Sequence, residues 1–378
     1  MFGFKNSNIY IEGLGIVKSS LKIKNGKFAS FEEEKDFIEL DDKYIIVPGF
    51  IDEHFHGANG SDFMSNKPED LSNIASSIIK DGVTSFLATT MTMEEEYICN
   101  ALKNIGEYKN KENEAELLGI HLEGPFISTK YCGAQDPKFI VKAKIEQIKK
   151  YQELSNNKIK IITLAPEETS DDVIQYATKN NIIVSAGHTN ATAKEIENAY
   201  NKGLSMTTHT FNAMRGLHHR EIGTVGAALL NDNLACEVIV DLHHVSENAI
   251  KLLYKSKPSD KLILITDSME ARFLEAGNYQ LGGQDVIVEN GTARLKDGTL
   301  AGSILHMNDA IRNLKNVCKL TLEEAIDKAT INPAKNLKIE NKKGSIALGK
   351  DADFVIIDKD LNVYATYVNG KEVYRKRD

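Results

Sequence analysis

The sequence predicts an α/β protein, a (β/α)8 TIM-type barrel that carries a small β-sandwich domain formed by both chain termini. Three observations support this prediction. Eight short apolar runs alternate with helical stretches in the middle of the chain, strand-like segments occupy both ends, and polar residues end nearly every apolar run. A length of 378 residues suits one barrel with an appended domain.

Residues 1–48 and 335–378 are predicted to form the β domain. NIYIEG, GIVKSSLKIKNGKFASF and KYIIVPGF alternate apolar and polar residues, and the final stretch GSIALGKDADFVIIDKDLNVYATYVNGKEVY is equally rich in strand signals. Asn25-Gly26 and Asn369-Gly370 are typical of β-hairpin turns. Two β segments at opposite ends of a chain are expected to pair with each other.

Residues 49–334 are predicted to form the barrel. The eight apolar runs are FIDEHFHG, VTSFLATT, LLGIHLEG, IKIITLAP, IIVSAGHT, SMTTHTFN, CEVIVDLHH and LILITDS. Helical stretches such as PEDLSNIASSIIKDG and DDVIQYATKNN follow the early runs. A doubly wound open sheet would show the same alternation, but the count of eight favours a closed barrel.

Composition excludes several classes of protein. The 46 basic and 54 acidic residues give a formal net charge of −8, so the chain offers no broad basic surface for nucleic acid. No apolar run reaches the roughly 18–20 residues that span a bilayer, and the first residues lack the pattern of a secretion signal. The four cysteines lie far apart and are expected to be reduced thiols. We therefore expect a cytoplasmic protein that binds neither nucleic acid nor membrane.

Five side chains with metal-binding chemistry stand at the ends of predicted strands. His54 and His56 form an H-x-H at the end of the first run, and Glu123, His188 and His209 end the third, fifth and sixth runs. Residues i and i+2 of a strand point the same way, so the two histidines of the H-x-H are expected to face one point. Imidazole and carboxylate groups suit zinc or iron(II). Each residue alone could be structural, but their shared position predicts a metal site.

Four further residues invite a functional interpretation. Asp267 ends the eighth run, where it could cap a turn, coordinate a metal weakly, or exchange protons with an activated water. His121 lies on a strand two residues before the third-run carboxylate, and is either a group behind the ligands or a core histidine. Arg220 and His244 suit an anion such as phosphate, although Arg220 could instead form a surface ion pair with Glu221 or a nearby acid.

Nine segments match one known family in its own order. They are PGFIDEHFHG (48–57), GIHLEGPFIS (119–128), GAQDP (133–137), SAGHTNAT (185–192), THTFNAM (208–214), HHRE (218–221), DLHHV (241–245), LITDSM (264–269) and LAGS (300–303). In these motifs the sequence resembles the N-acetylglucosamine-6-phosphate deacetylases, a family of the amidohydrolase superfamily. The first motif and the late GKDADFV are typical of the superfamily, whereas HLEGPF, THTFNAM and LAGS are much narrower.

The resemblance implies roles for the candidate ligands. It implies that the principal divalent metal is held by Glu123, His188 and His209. The H-x-H matches the branch of the family that can hold a second metal, so one or two ions are expected, zinc or iron(II). Asp267 corresponds to the catalytic acid and base, which would take a proton from water and return it to the leaving amine.

The resemblance also implies contacts with an amino-sugar phosphate. His244 and Arg220 match phosphate-binding positions, and in the family this arginine reaches the site of the neighbouring subunit, which implies a homodimer. The positions that correspond to sugar contacts are Ala134, Gln135, Asn212, Ala213, Leu300, Ala301 and Gly302.

Two positions depart from the family pattern. Gln135 stands where some relatives have histidine, and it keeps a hydrogen-bonding amide. Leu242 replaces the glycine of the commoner D-G-x-H, which is expected to stiffen a loop that touches substrate.

The expected activity is hydrolysis of the acetamide of N-acetyl-D-glucosamine 6-phosphate to D-glucosamine 6-phosphate and acetate. One alternative is a deacetylase of the galacto epimer, N-acetylgalactosamine 6-phosphate. A second is a cyclic-amide or dipeptide hydrolase, which commonly uses a carboxylated lysine in the role that Glu123 fills here. A third is a non-catalytic binding relative, but such proteins usually lose ligands that this sequence retains.

Overall fold

The computed structural model describes residues 1–65 and 67–377. The strands of these residues are β1 (Phe2–Ile11), β2 (Gly15–Lys24), β3 (Lys27–Ser30), β4 (Ile38–Glu39), β5 (Tyr44–Pro48), β6 (Phe50–Asp52), β7 (Gly57–Ala58), β8 (Ser61–Asp62), β9 (Val83–Thr89), β10 (Glu116–Glu123), β11 (Ile159–Leu164), β12 (Ile183–Ala186), β13 (Leu204–Thr207), β14 (Ala235–Ile239), β15 (Leu262–Ile265), β16 (Gly277–Leu281), β17 (Gln284–Glu289), β18 (Thr292–Arg294), β19 (Phe354–Asp358), β20 (Val363–Val368) and β21 (Lys371–Arg375).

The α-helices of the same residues are α1 (Pro68–Ser77), α2 (Glu95–Glu107), α3 (Ile145–Leu154), α4 (Asp171–Lys179), α5 (Ala193–Tyr200), α6 (Gly223–Leu230), α7 (Glu247–Ser256), α8 (Met307–Cys318), α9 (Leu322–Asp327) and α10 (Ile331–Asn336). Short 3-10 helices span Ile78–Asp81, Thr129–Tyr131, Pro137–Phe139, Pro166–Glu168 and Ser259–Lys261. None of these helices is long and apolar enough to cross a membrane.

Eight parallel strands form the barrel. They follow one another around the sheet in chain order, as β6, β9, β10, β11, β12, β13, β14 and β15. Each strand comes from one of the eight apolar runs, so the predicted barrel is confirmed. The strands β9 and β14 are buried over their whole length, because helices cover the outer face and side chains fill the inside.

Hydrogen bonds between backbone groups and between side chains join the first and last barrel strands. The backbone N of Asp267 donates to the carbonyl of His54 at 2.9 Å, and that of His56 donates to Ser268 at 2.8 Å. Below them, Asp52 accepts from the Thr266 hydroxyl at 2.6 Å. We call this region, where β6 and β15 come together, the seam of the barrel.

A buried guanidinium crosses the seam. Arg272 has no solvent exposure; its Nη1 lies 3.4 Å from Asp52, and its Nε and Nη2 both donate to Asp81. The hydroxyls of Thr266 and Ser268 accept from the same Nη1. A buried charge is tolerated only when it is paired and hydrogen-bonded, as this one is.

The first apolar run forms a shorter strand than expected. Because β6 ends at Asp52, His54 and His56 follow the strand, and the predicted alternation of a strand does not orient them. Their imidazole rings still meet, edge to face, with centroids 5.5 Å apart. Hydrogen bonds across the seam fix this segment instead.

The terminal segments form one mainly antiparallel sheet of eight strands. Its order is β21-β20-β19-β5-β1-β2-β3, with β4 on β1, so β5 from the N-terminal part pairs with β19 from the C-terminal part as expected. Asn25-Gly26 and Asn369-Gly370 form the predicted hairpin turns, with positive φ at all four residues. The sheet encloses its own core, where Phe4 and Phe28 pack within about 6 Å of the Phe354 ring.

A buried lysine ties the terminal sheet to the barrel. Lys343 Nζ lies 2.5 Å from Asp353 and 3.4 Å from Asp351, which precede β19, and 2.7 Å from Glu116 at the start of β10. Burial would lower the pKa of Lys343, but these carboxylates raise it above its usual range. The domain limits of 1–48, 49–334 and 335–378 remain a prediction.

A three-stranded antiparallel sheet, β16–β18, was not predicted. It lies between the last barrel strand and α8, and its first hairpin turns at Gly282 and Gly283, both with positive φ. Gln284 just after this turn donates a hydrogen bond from its side chain to the carbonyl of Ala134. The insertion therefore reaches across the carboxyl face of the barrel.

We expect the Asp81→Asn substitution to destabilise the protein by about 3–5 kcal/mol, because it leaves the buried Arg272 with one acidic partner fewer. Urea unfolding would measure the loss. Asp285→Asn is the matched control, since Asp285 pairs with Lys296 in solvent and should cost at most about 1 kcal/mol. Equal losses in the two variants would contradict the importance of the seam.

Candidate metal centre

The candidate ligands lie at the carboxyl ends of the barrel strands. Glu123 is the last residue of β10, and His188 and His209 follow β12 and β13 by two residues. His54 and Asp267 follow β6 and β15 in the same way. Parallel barrel strands all end on one face, so these side chains meet in the mouth of the barrel. All five residues are buried.

Three of these residues adopt the left-handed backbone conformation. The φ angles are 48° at His188, 30° at His209 and 48° at Asp267. Each such residue costs about 1–2 kcal/mol relative to a right-handed one, and persists only where its surroundings hold it. The carbonyl of His188 accepts a backbone hydrogen bond from Ser128 at 2.8 Å, and the seam holds Asp267. A sharp turn after each strand thus directs these side chains inward.

Glu123, His188 and His209 form the first donor group. Glu123 Oε1 lies 3.3 Å from His188 Nε2 and 3.2 Å from His209 Nε2, and the two nitrogens are 3.1 Å apart. Two ligands about 2.1 Å from one ion, at angles of roughly 90–109°, would be about 3.0–3.4 Å apart. The three atoms are therefore spaced as ligands of a single ion.

His54, His56 and Asp267 form the second donor group. Asp267 Oδ1 lies 3.6 Å from His54 Nε2 and 3.1 Å from His56 Nε2. His54 Nε2 and Asp267 Oδ1 are buried without a hydrogen-bond partner among the described residues, which is costly unless a ligand satisfies them. These orphaned atoms and the chemistry of the donor set fit a bound cation.

Glu123 joins the two donor groups. Its Oε1 is 3.4 Å from His54 Nε2, and its Oε2 is 3.4 Å from His56 Nε2. The same carboxylate therefore faces every imidazole of both groups and has the geometry to bridge two ions.

The electrostatics of the second donor group favour positive charge. Burial would raise the pKa of Asp267, but the nearby imidazoles of His54 and His56 lower it to about 2. Burial would lower the pKa of His56, yet the nearby carboxylates of Asp267 and Glu123 raise it to about 9. At neutral pH the acid is ionised and the imidazole of His56 carries a proton, which a cation would displace.

A cavity of about 200 Å³ opens above the two donor groups. It contains most of the residues predicted to contact substrate, namely Ala134, Gln135, Asn212, Ala213, His244, Leu300 and Gly302. Met91, Gly133, Leu281 and Thr299 line it as well, and the sequence analysis did not single them out. Ala301 is fully buried and does not line the cavity.

Gln135 supports the bridging carboxylate as well as lining the cavity. Its Nε2 donates to Glu123 Oε2 at 2.8 Å, and its Oε1 accepts from the backbone N of Thr92 at 2.6 Å. The predicted amide hydrogen bond is therefore present, and it fixes the orientation of Glu123.

The structure separates the two predicted anion-binding residues. His244 lines the cavity, and Asp241 lies 2.6 Å from its Nδ1, which leaves Nε2 for a ligand. Arg220 is exposed on a loop outside the cavity, where its Nη1 lies 2.9 Å from His219 Nε2. Arg220 forms no ion pair with Glu221 or another acid among the described residues, and Glu221 Oε1 accepts from the backbone N–H groups of Ala193 and Gly223.

Leu242 holds a conformation that glycine adopts more easily. Its φ is 66° and 41% of the residue is exposed, at the turn just before His244. The expected stiffening of this turn by Leu242 stays a prediction.

The sequence as a whole matches proteins of known families. The model of the "Amidohydrolase family" matches residues 45–373. The chain belongs to the amidohydrolase family. The N-acetylglucosamine-6-phosphate deacetylase of Lysinibacillus sphaericus is 42% identical over 356 residues, 92% of either chain. The N-acetylgalactosamine-6-phosphate deacetylase of Escherichia coli O157:H7 is 33% identical over 353 residues, 93% of either chain.

A solved structure resembles this amidohydrolase throughout. It is an Asp-to-Ala mutant of the N-acetyl-D-glucosamine-6-phosphate deacetylase from Mycobacterium smegmatis, in complex with N-acetyl-D-glucosamine 6-phosphate. The TM-score is 0.92 at 27% sequence identity, over 98% of this chain and 99% of the other. The family and the two donor groups together indicate that this amidohydrolase uses a divalent metal.

The sequence analysis missed Glu237. This residue lies in the middle of β14 with no solvent exposure, and its Oε2 is 2.9 Å from His54 Nδ1. A carboxylate inside the apolar run CEVIVDL was the available signal, since a buried charge requires a partner.

His121 is a core histidine that lies behind the ligands. Its Nε2 is 2.7 Å from the Thr163 hydroxyl and its Nδ1 is 3.2 Å from the carbonyl of Glu53. Burial and the nearby His54 lower the pKa of His121 well below its usual range. Both ring nitrogens have partners inside the barrel, and the ring packs against that of His54, so the two earlier interpretations hold together.

We expect the double substitution His54→Asn, His56→Asn to lower the metal content from near two ions per chain to near one, because the first donor group stays intact. Elemental analysis after dialysis would count the ions. His218→Asn, on the exposed loop, is the control and should leave the count unchanged. The same count in the double variant would show that other donors hold the second ion.

Proposed function

We propose that this amidohydrolase hydrolyses the acetamide bond of N-acetyl-D-glucosamine 6-phosphate, giving D-glucosamine 6-phosphate and acetate. The observation that carries the proposal is a single cavity that is lined by Asp267 and by residues of both donor groups, with Glu123 between the two groups. The likeness to a deacetylase of this sugar phosphate over 92% of the chain supports it.

The proposal gives the donor groups distinct tasks. Glu123, His188 and His209 would hold one ion, and His54 and His56 with the other oxygen of Glu123 would hold a second. When bound, such an ion acts as a Lewis acid and lowers the pKa of a coordinated water towards about 7. Zinc and iron(II) both suit imidazole and carboxylate ligands.

Asp267 would move the proton during hydrolysis. Its low pKa keeps the carboxylate ionised at neutral pH, ready to accept a proton from the attacking water. The protonated acid would then give this proton to the leaving nitrogen as the C–N bond breaks. The orphaned Oδ1 faces both histidines of the second donor group, so the same residue could also contact an ion.

The cavity walls would bind the sugar phosphate. Asn212, Ala213, Ala134 and Gln135 would contact the sugar with the 300–302 turn, and His244 would contact the phosphate through Nε2. Arg220 would complete the phosphate site of a neighbouring chain, since it projects from the surface outside its own cavity. This part of the proposal requires a homodimer. We also propose a cytoplasmic location, with which four unpaired cysteines agree.

Acetate release from purified, metal-loaded protein tests the proposed reaction. N-acetyl-D-glucosamine 6-phosphate should be the better substrate, and N-acetyl-D-galactosamine 6-phosphate is the competing one because a relative acts on it. A higher kcat/KM for the galacto epimer would favour that alternative. Hydrolysis of neither compound would indicate a different substrate or a non-catalytic protein.

We expect Asp267→Asn to lower kcat by about 10²–10⁴, because the isosteric amide cannot carry the proton. Elemental analysis should show unchanged metal content. Asp285→Asn, a surface carboxylate away from the cavity, should leave kcat unchanged. A loss of less than tenfold with metal retained would show that Asp267 is not the proton carrier.

We expect Arg220→Ala to lower kcat/KM for the phosphorylated sugar by about 10–150-fold, as loss of about 1.5–3 kcal/mol of charged hydrogen bonding would. The effect should be nearly absent with unphosphorylated N-acetylglucosamine. Arg375→Ala, which removes a surface arginine of the terminal sheet, should leave kcat/KM unchanged.

Mixing chains tests the cross-subunit placement. Arg220→Ala chains mixed with Asp267→Asn chains should regain activity towards about a quarter of wild type, since half the dimers would hold one competent site of two. Absence of recovery despite demonstrated subunit exchange would show that Arg220 does not serve a neighbouring site.

A further inference from the structure

One carboxyl oxygen inside the barrel contacts both donor groups from behind. Glu237 Oε2 lies 2.9 Å from His54 Nδ1, and it also accepts the backbone N–H of His209 at 3.1 Å. These contacts connect β14 to the segments that follow β6 and β13. Glu237 therefore lies where it can set the position of a ligand in each group.

The contact with His54 decides which ring nitrogen faces the cavity. A neutral imidazole carries one proton, and a hydrogen-bond acceptor at Nδ1 keeps the proton there, so that the lone pair remains on Nε2. That Nε2 is the atom 3.4 Å from Glu123 and 3.6 Å from Asp267. Without the acceptor, the ring could turn or take the other tautomer.

The contact with His209 satisfies a buried backbone N–H group. The backbone N–H of His209 belongs to a left-handed residue and lies inside the barrel, where an unpaired amide is costly. Any side chain at position 237 that offers one acceptor oxygen at this point would satisfy both N–H groups. The important property is therefore the acceptor oxygen.

We propose that Glu237 is the positioning residue that makes His54 Nε2 a ligand and so creates the second metal position. This inference rests on the proposed function, because it takes both donor groups to hold ions. The opposite assignment, a further ion between His54, His121 and Glu237, is disfavoured because the imidazole nitrogens that His54 and His121 would offer there already have hydrogen-bond partners. His54 is bonded to Glu237, and His121 to Thr163 and Glu53.

Two variants distinguish the effect of the acceptor oxygen of Glu237 from the effect of its negative charge. Glu237→Gln keeps an oxygen for both N–H groups, whereas Glu237→Met fills the space without one. Titration with zinc against a competing chelator should show the weaker binding constant falling by about 10–100-fold in the Met variant. The tighter constant should fall less than the weaker one in the Met variant, in which the His209 N–H loses its acceptor, and the Gln variant should stay close to wild type for both ions.

Glu53→Met is the matched control for removing a buried carboxylate. Glu53 is equally inaccessible and bonds to Asn336 through both oxygens, but among the described residues its side chain forms no hydrogen bond or ion pair with a candidate ligand. This variant should be destabilised and still bind two zinc ions with wild-type constants. Equal weakening of both ions in the two Met variants would overturn the proposal, because it would reflect general loss of structure.

A spectroscopic test covers the case in which the Met variant does not fold. In metal-loaded wild-type protein labelled with ¹⁵N-histidine, His54 should carry its proton on Nδ1, the assignment coming from His54→Asn. A proton on Nε2 would overturn the proposal. So would a wild-type zinc count of three with one ion lost in Glu237→Gln. These measurements need no substrate, so failure of the deacetylase assay would leave them interpretable.

Discussion

The metal centre depends on the closure of the barrel at its seam. The first donor group comes from strands that are near neighbours in the sheet, but His54 and Asp267 come from the first and last strands. The backbone hydrogen bond between these two residues and the buried Arg272 hold those strands together. If the seam opened, the first donor group would remain assembled and the second would be lost. Closure therefore controls whether the second donor group can form.

Much of the fold and the site could be predicted from the sequence, because burial and turn chemistry leave local patterns. Eight apolar runs became eight strands, and the two Asn-Gly pairs became hairpins because both residues tolerate positive φ. The ligand residues were recognisable as costly polar groups at the ends of buried segments. This property, a polar side chain at the end of a buried segment, assigned His54 and Glu123 to one site although they lie far apart in sequence.

The remaining features depend on contacts between distant segments. Nothing near Glu237 in the sequence indicates His54 as its partner, since the contact exists only after β14 and β6 have joined one barrel. The left-handed turns at His188 and His209 were equally hidden, because most histidines adopt other backbone conformations. For Arg220, the structure shows an exposed side chain outside the cavity, and the role proposed for it requires a second chain.

The β16–β18 insertion separates the shape of the substrate cavity from the set of metal ligands, two properties that many enzymes must change together. Leu281 of the insertion lines the cavity together with Thr299 and Leu300 just after it, yet no candidate metal ligand among the described residues lies between 277 and 300. Substitutions there can alter which acyl group or sugar fits while the ions and Asp267 stay in place. In evolution or in the laboratory, substitutions in this segment can therefore change the substrate of this amidohydrolase without replacing a metal ligand or Asp267.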